Sequence, residues 1–365
     1  MKFRKWAVLI LFLIPVIFAV GCQSDADEAN EYEIDANASE QYEIYPYDPR
    51  QDELDLYESE QSEPDLYEPV PDEPDEYAVD FSGYNQFHLT IMHTNDWHGV
   101  LHNVPMYATL VREVRAEREN VLLLDGGDLY RRGPFESLHG AVEIAIMNAM
   151  GYDALTFGNN DFPRNDAELF HVSQHTIIQL ADFPVLTANV TLDGEFVEGF
   201  DPYIIITMQG IDIAIIGVTS PKPWDRNLDF TERYLFECPV LVVERMTEET
   251  SEFSDIQIVL SHAGVAFERQ MRGVSAVIGG DDHRVFRTPY VIHDPDGDRR
   301  IPMVQAGGER NHFLGRLDLY FAEIDGEWVL FDFYGRLLSV EGVTPCPEIV
   351  SIIDYYRELL GLEIE

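Results

Sequence analysis

Five short polar clusters stand out in this chain: Asp96 with His98, Asp128, Asn159-Asn160-Asp161, His262, and Asp281 with His283. Each follows closely on an apolar run. Asp, His and Asn supply the carboxylate, imidazole and carboxamide donors that bind small divalent cations. One Asp-x-His pair is weak evidence, because such pairs are usually surface turns. Five strand-then-ligand clusters in one chain are strong evidence. A carboxylate flanked by His and by Asn or Asp suits two ions about 3.5–4 Å apart, the arrangement that clamps a phosphoryl group. Glycines adjoin the clusters at Gly126-Gly127, Gly158 and Gly279-Gly280, where the backbone can approach closely.

Residues this far apart need a scaffold that delivers strand ends to one place, which is what an α/β protein does. Residues 87–94 alternate and are rich in β-formers. Residues 121–124, 154–157, 185–188, 256–260 and 276–278 are short apolar runs that read as buried strands. Residues 204–208 and 211–218 read as a hairpin across Gln209-Gly210, and 314–321 with 328–333 as a second antiparallel pair. Helices are expected from Asn103 and Pro105 to about 120, over 138–150 with a stop at Gly151, and over 347–360. This alternation predicts an α/β fold, layered, with mixed sheets flanked by helices. Asp294-Pro295-Asp296-Gly297-Asp298 lacks the spacing of a calcium loop and reads as a hairpin turn between 290–292 and 302–305.

The chain of 365 residues carries a net charge of −43, so a nucleic-acid polymer is not an expected partner. Lys2, Arg4 and Lys5 precede an apolar run of 15 residues over 6–20, which reads as a signal core. Ala19-Val20-Gly21-Cys22 resembles the lipobox of bacterial lipoproteins, which implies lipidation at Cys22 and a membrane anchor. An ordinary signal peptide is the alternative, and both export the protein. Residues 25–80 hold 22 Asp or Glu and one basic residue, Arg50. With so few large aliphatic residues this stretch is expected to be a disordered acidic tether. Domains are therefore expected at 1–22 (signal), 23–80 (tether), 81–346 (folded domain) and 347–365 (terminal helix). Cys238 and Cys346 remain as either a pair or two free thiols.

The segments His93-Thr94-Asn95-Asp96-Trp97-His98-Gly99, Asp125-Gly126-Gly127-Asp128, Gly151 to Asn159, Thr187-Ala188-Asn189-Val190, Ser261-His262-Ala263-Gly264, Gly279-Gly280-Asp281-Asp282-His283 and Gln305-Ala306-Gly307 occur in this order. Together they resemble the calcineurin-like metallophosphoesterase domain of bacterial 5'-nucleotidases, UDP-sugar hydrolases and 2',3'-cyclic phosphodiesterases, over about 87–345. The resemblance implies a layered metallophosphoesterase sandwich and a small phosphorylated substrate. It also implies two divalent ions (Mn, Mg, Ca or Zn): Asp96, His98 and His283 would hold one, Asn159, His262 and Asp281 the other, with Asp128 bridging. Such ions activate water for attack on phosphorus and neutralise phosphoryl charge.

Two residues depart from the family pattern. Asn160 stands where the family has a catalytic His, and Asn carries no proton at neutral pH, although it can donate a hydrogen bond to a phosphate. Loss of a general acid costs about 10²–10⁴ in rate. Asp281 replaces a ligating His and favours Mn, Mg or Ca over Zn, with Asp282 as the alternative donor. Asn160, Asp161 and Arg132 are the catalytic candidates. Arg132 and Arg284, ahead of Arg131 and Arg164, are the candidates for gripping phosphate. The family's C-terminal domain supplies its nucleoside pocket, and this sequence ends just beyond the helix leading there, so nucleotide specificity is not carried over. A non-catalytic protein that binds metal or a phosphorylated ligand is the competing reading.

Overall fold

The structure, a computed structural model, describes residues 81–162, 167–221, 234–293, 299–308 and 313–362, with side chains left out over 167–173. The chain divides into units at 1–78 and 79–365. The expected signal segment, Cys22 and nearly all of the expected tether fall in the first, outside the described residues; Arg164 and the 294–298 turn belong to the second and also lie outside the described residues.

Two six-stranded sheets build the second unit. The first runs β15-β14-β1-β2-β3-β4. Its strands β1 (Gln86–Thr94), β2 (Val121–Asp125), β3 (Ala154–Thr156) and β4 (Val185–Leu186) are parallel, while β14 (Phe313–Ile324) and β15 (Glu327–Ser339) add antiparallel edges. The second runs β12-β13-β11-β10-β8-β7. Here β8 (Ile211–Thr219), β10 (Ile256–His262), β11 (Ala276–Ile278) and β13 (Arg300–Val304) are parallel. The edge strands β7 (Tyr203–Met208) and β12 (Tyr290–His293) are antiparallel to them. The 203–219 hairpin turns at Gln209 and Gly210, both at positive φ (53° and 84°), as a tight two-residue turn requires.

The strands are apolar on both faces because both faces are covered. Leu89, Ile91, Leu122 and Leu124 of the first sheet pack against Ile213, Ile258, Leu260 and Ile278 of the second. On the outer face of the first sheet lie α1 (Val104–Glu117), α2 (Ala141–Met150), α3 (Ala167–Leu180) and α6 (Pro347–Leu360). Helix α1 buries Val104, Tyr107, Ala108, Val111 and Val114, one stripe at helical spacing. On the outer face of the second sheet, Val242, Val243 and Met246 of α4 (Pro239–Thr250) pack with Val259, Val277 and Met303. The short α5 (Val265–Glu268) follows β10. The fold is thus the layered α/β sandwich that the sequence predicts.

Four points are informative. The expected 138–150 helix is a 3₁₀ turn at Glu136–Leu138 and then α2, parted by left-handed His139 and Gly140 (φ 52° and 89°). Asn103 starts α1 in position but makes no side-chain cap. A small sheet, β6-β5-β9, formed by Glu195–Phe196, Val190–Leu192 and Tyr234–Phe236, has no counterpart in the sequence reading. Cys238 is exposed and Cys346 buried, and both are free thiols.

Candidate metal centre

All five clusters sit at the carboxyl ends of parallel strands. Asp96 and His98 follow β1, Asp128 follows β2 and Asn159 follows β3. His262 ends β10, and Asp281 and His283 follow β11. The turns that aim them are tight: Asp96, His98, Asp128, Asp281 and His283 all have positive φ, between 48° and 75°. Non-glycine residues adopt this region at a cost, and such residues gather where function fixes them. Space is equally constrained. A Cβ on Gly158 would lie 2.2 Å from the Asp128 carboxylate, so only glycine lets these two turns meet.

Two groups of donors converge, Asp96 with His98 and His283, and Asp96 with Asp128 and His262. Asp96 Oδ1 lies 3.1 Å from His283 Nε2, 3.9 Å from His98 Nε2 and 3.8 Å from His262 Nε2. The Asp128 carboxylate faces both groups, Oδ2 3.5 Å from His98 Nε2 and Oδ1 3.4 Å from His262 Nε2. Asp96 is therefore common to both groups, where the sequence reading gave the shared role to Asp128 alone. Asp281 Oδ1 joins the second group 3.7 Å from His262 Nε2. Asp282 does not join it; its carboxylate accepts from the Val265 amide at the start of α5.

The donor set fits cations. Asp96 Oδ1 and His262 Nε2 are fully buried, yet neither makes a hydrogen bond among the described residues. A buried polar atom without a partner costs about 1–3 kcal/mol unless something fills its place. Each has its opposite side secured. Asp96 Oδ2 accepts from Asn95 Nδ2 (2.6 Å) and from the Asp281 amide (3.1 Å). His262 Nδ1 bonds the Gly126 carbonyl, which as donor leaves Nε2 with its lone pair directed inward, as for a metal-ligating imidazole. The charges agree. Burial lowers the pKa of His262, but the Asp128, Asp96 and Asp281 carboxylates reverse this and hold it well above its ordinary value. Burial raises Asp128, and His262 and His98 overcome it, holding that carboxyl below the usual range. For His98 burial wins over the Asp128 and Asp96 carboxylates, and its pKa is lowered. Burial also pushes Asp281 up to about 7. This is a cage of carboxylates in want of positive charge.

The remaining candidates take other places. Asn160 donates its backbone amide to Asp128 Oδ1 (2.7 Å), and its Nδ2 to Asp128 Oδ2 (2.6 Å) and Asn159 Oδ1 (3.1 Å). Both of its amide hydrogens are thus committed, contrary to the expectation that it offers one to a phosphate. Asp161 accepts from the backbone amides of Asp128, Leu129 and Gly158, each at 2.8 Å. It braces the loops from behind, which is a positioning geometry and not the catalytic one expected. Burial and the Asp128 charge push its carboxyl up to about 7, against the Gly158 and Leu129 amides and the His262 charge. Arg132 is exposed at positive φ (81°), and its charge reaches His98. The exposed Arg284 donates its backbone amide to Gln305 Oε1. Arg131 lies 3.8 Å from Glu136.

Two supports went unread in the sequence. Asn95 ties Asp96 to the 306–307 turn, through Asn95 Oδ1 to the Ala306 amide and Nδ2 to the Gly307 carbonyl. Its adjacency to Asp96 was the available signal. Glu268, fully buried on α5, accepts from Gln305 Nε2 (3.1 Å) and the Gly280 amide (3.3 Å), and so holds the turn that carries Asp281. A lone Glu in a four-residue helix gives no signal at all.

A family model for calcineurin-like phosphoesterases matches residues 89–287. The chain is 28% identical over 274 residues to the trifunctional nucleotide phosphoesterase protein YfkN of Bacillus subtilis, covering 64% of this chain and 18% of that protein. It is 28% identical over 274 residues to the 5'-nucleotidase of Rattus norvegicus, covering 64% and 46%. It superposes on the crystal structure of a 5'-nucleotidase precursor from Thermus thermophilus with a TM-score of 0.65 at 23% identity, over 75% of this chain and 59% of that one. The chain spans about half or less of the length of these curated relatives.

Proposed function

The chain belongs to the calcineurin-like phosphoesterase family, whose members use divalent metal ions, and on that premise we propose that it is a two-ion hydrolase of small phosphate esters, 5'-nucleotides among them. The observation that carries this reading is the pair of donor groups sharing Asp96, with the bare Asp96 Oδ1 and His262 Nε2 turned into them. Asp96, His98 and His283 would hold one ion and Asp96, His262, Asp281 and Asn159 the second, with Asp128 facing both. When bound, such ions supply Lewis-acid stabilisation of the phosphoryl oxygens and a water nucleophile of lowered pKa.

The chain's own residues do the rest. Asp161, Asn95 and Glu268 keep the ligand loops from relaxing. Arg132 offers charge to a phosphate at the mouth of the site. The protein acts outside the cytoplasm, anchored by lipid at Cys22. Among the described residues no helix is long and apolar enough to cross a membrane.

A second reading, a surface protein that binds metal or a phosphorylated ligand without turnover, draws on one observation: Asn160 is tied to Asp128 and Asn159 and brings no proton to a leaving group. Turnover separates the two. Purified protein reconstituted with Mn²⁺ is expected to hydrolyse an activated phosphomonoester or phosphodiester well above a His98→Ala variant. Equal rates, with metal bound by the wild type, would leave only the second reading.

A further inference from the structure

We infer that the two ion positions differ in kind, so that the centre pairs a borderline transition ion with an oxygen-seeking ion such as Mg²⁺, Mn²⁺ or Ca²⁺. This rests on the two-ion reading above.

The first group is rich in nitrogen. Asp96 Oδ1 stands 3.1 Å from His283 Nε2, which is 3.2 Å from His98 Nε2. Two imidazoles thus meet Asp96 Oδ1, with Asp128 Oδ2 3.5 Å from His98 Nε2; a donor set half nitrogen suits Zn²⁺ or Fe²⁺. The second group is rich in oxygen. Around the single nitrogen His262 Nε2 lie Asp128 Oδ1 at 3.4 Å, Asp281 Oδ1 at 3.7 Å and Asp96 Oδ1 at 3.8 Å. Three carboxylates to one imidazole suit hard cations. Asp281 is the residue that sets this balance, and its place is built. Its backbone amide is held by Asp96 Oδ2. Its Oδ2 lies against Gly264, where a Cβ would come within 2.8 Å. Its neighbour Asp282 is turned away to the Val265 amide.

Elemental analysis of the full chain tests this, with activity left out of the readout. Metal-stripped protein is dialysed against Zn²⁺ with Mn²⁺ in large excess and then desalted. The wild type is expected to retain one Zn²⁺ and one Mn²⁺ per chain. Asp281→His should retain two Zn²⁺, shifting the Zn/Mn preference of one position by at least about tenfold. Asp281→Ala should lose the Mn²⁺ and keep the Zn²⁺, which guards against a misfolded His variant. Two Zn²⁺ in the wild type, an unchanged ratio in Asp281→His, or loss of both ions in Asp281→Ala would overturn the inference while leaving the two-ion reading standing. A wild type that retains no metal would overturn both.

Discussion

Removing the Asp161 carboxylate should weaken the fold and the metal centre together. That carboxylate satisfies three buried backbone amides, those of Asp128, Leu129 and Gly158, all at 2.8 Å. Each buried donor left without a partner costs about 1–3 kcal/mol. Asp161→Ala strands all three, and allowing for partial relaxation we expect a loss of about 4 kcal/mol. Asp161→Asn keeps one oxygen. Turned toward the Asp128 and Gly158 amides it strands only Leu129, at a cost of about 1–3 kcal/mol. Because Asp128 rides on this brace, affinity for divalent ions should fall about 10–100-fold, the usual effect of losing a support behind a ligand. Urea unfolding followed by circular dichroism measures the first quantity and calorimetric metal titration the second. If Asp161→Ala stays within about 1 kcal/mol of wild type, or loses turnover with stability and metal affinity intact, the bracing argument is wrong and Asp161 acts in the chemistry.

Burial pushes Glu143 up to about 8, from an ordinary 4.5, and among the described residues neither carboxylate oxygen has a partner outside its own residue. The folded state thus binds the proton more tightly than the unfolded one, so Glu143 erodes stability as pH rises from about 4.5 to 8. Glu143→Gln should be neutral at pH 4–5 and stabilising by up to several kcal/mol above pH 8; thermal melts across that window check it, and an equal effect at both ends would contradict it. Gly158→Ala places a Cβ 2.2 Å from Asp128 Oδ1 and should cost about 1–3 kcal/mol along with metal binding; unchanged metal titration would count against the tight turn. Asn160→His restores a proton carrier and should raise kcat most on substrates with poor leaving groups, by up to about 10²-fold. An equal gain on good leaving groups would assign the position to binding instead.

Much of the fold was legible because punctuation and periodicity agree. Strand β11 and helix α6 fall where the residues place them, since Ala276–Ile278 is an apolar run closed by two glycines and Pro347–Leu360 runs from a proline to a glycine. Strands β5, β6 and β9 went unread. They are two or three residues long, and β5 pairs with β9 more than 40 positions away, which no local window contains; the β5–β6 hairpin, by contrast, turns at Asp193-Gly194, both at positive φ, a local signal the reading passed over. The convergence of the ligand clusters was legible as well, because every one follows a strand that the pattern reveals. What the sequence withheld was direction. Nothing in Gly158-Asn159-Asn160-Asp161 says that Asn160 turns inward to Asp128 or that Asp161 folds back onto three amides. The φ values of Asp96 and Asp128, which decide how the two carboxylates face the imidazoles, depend equally on packing across the strand ends.

The central claim is that Asp96 and Asp128 stand between two ions. Anomalous diffraction from a Mn²⁺-soaked crystal measures this directly. Two peaks about 3.5–4 Å apart are predicted, one against His98 and His283 and the other against His262 and Asp281. A single peak, or peaks away from Asp96 and Asp128, would contradict the account.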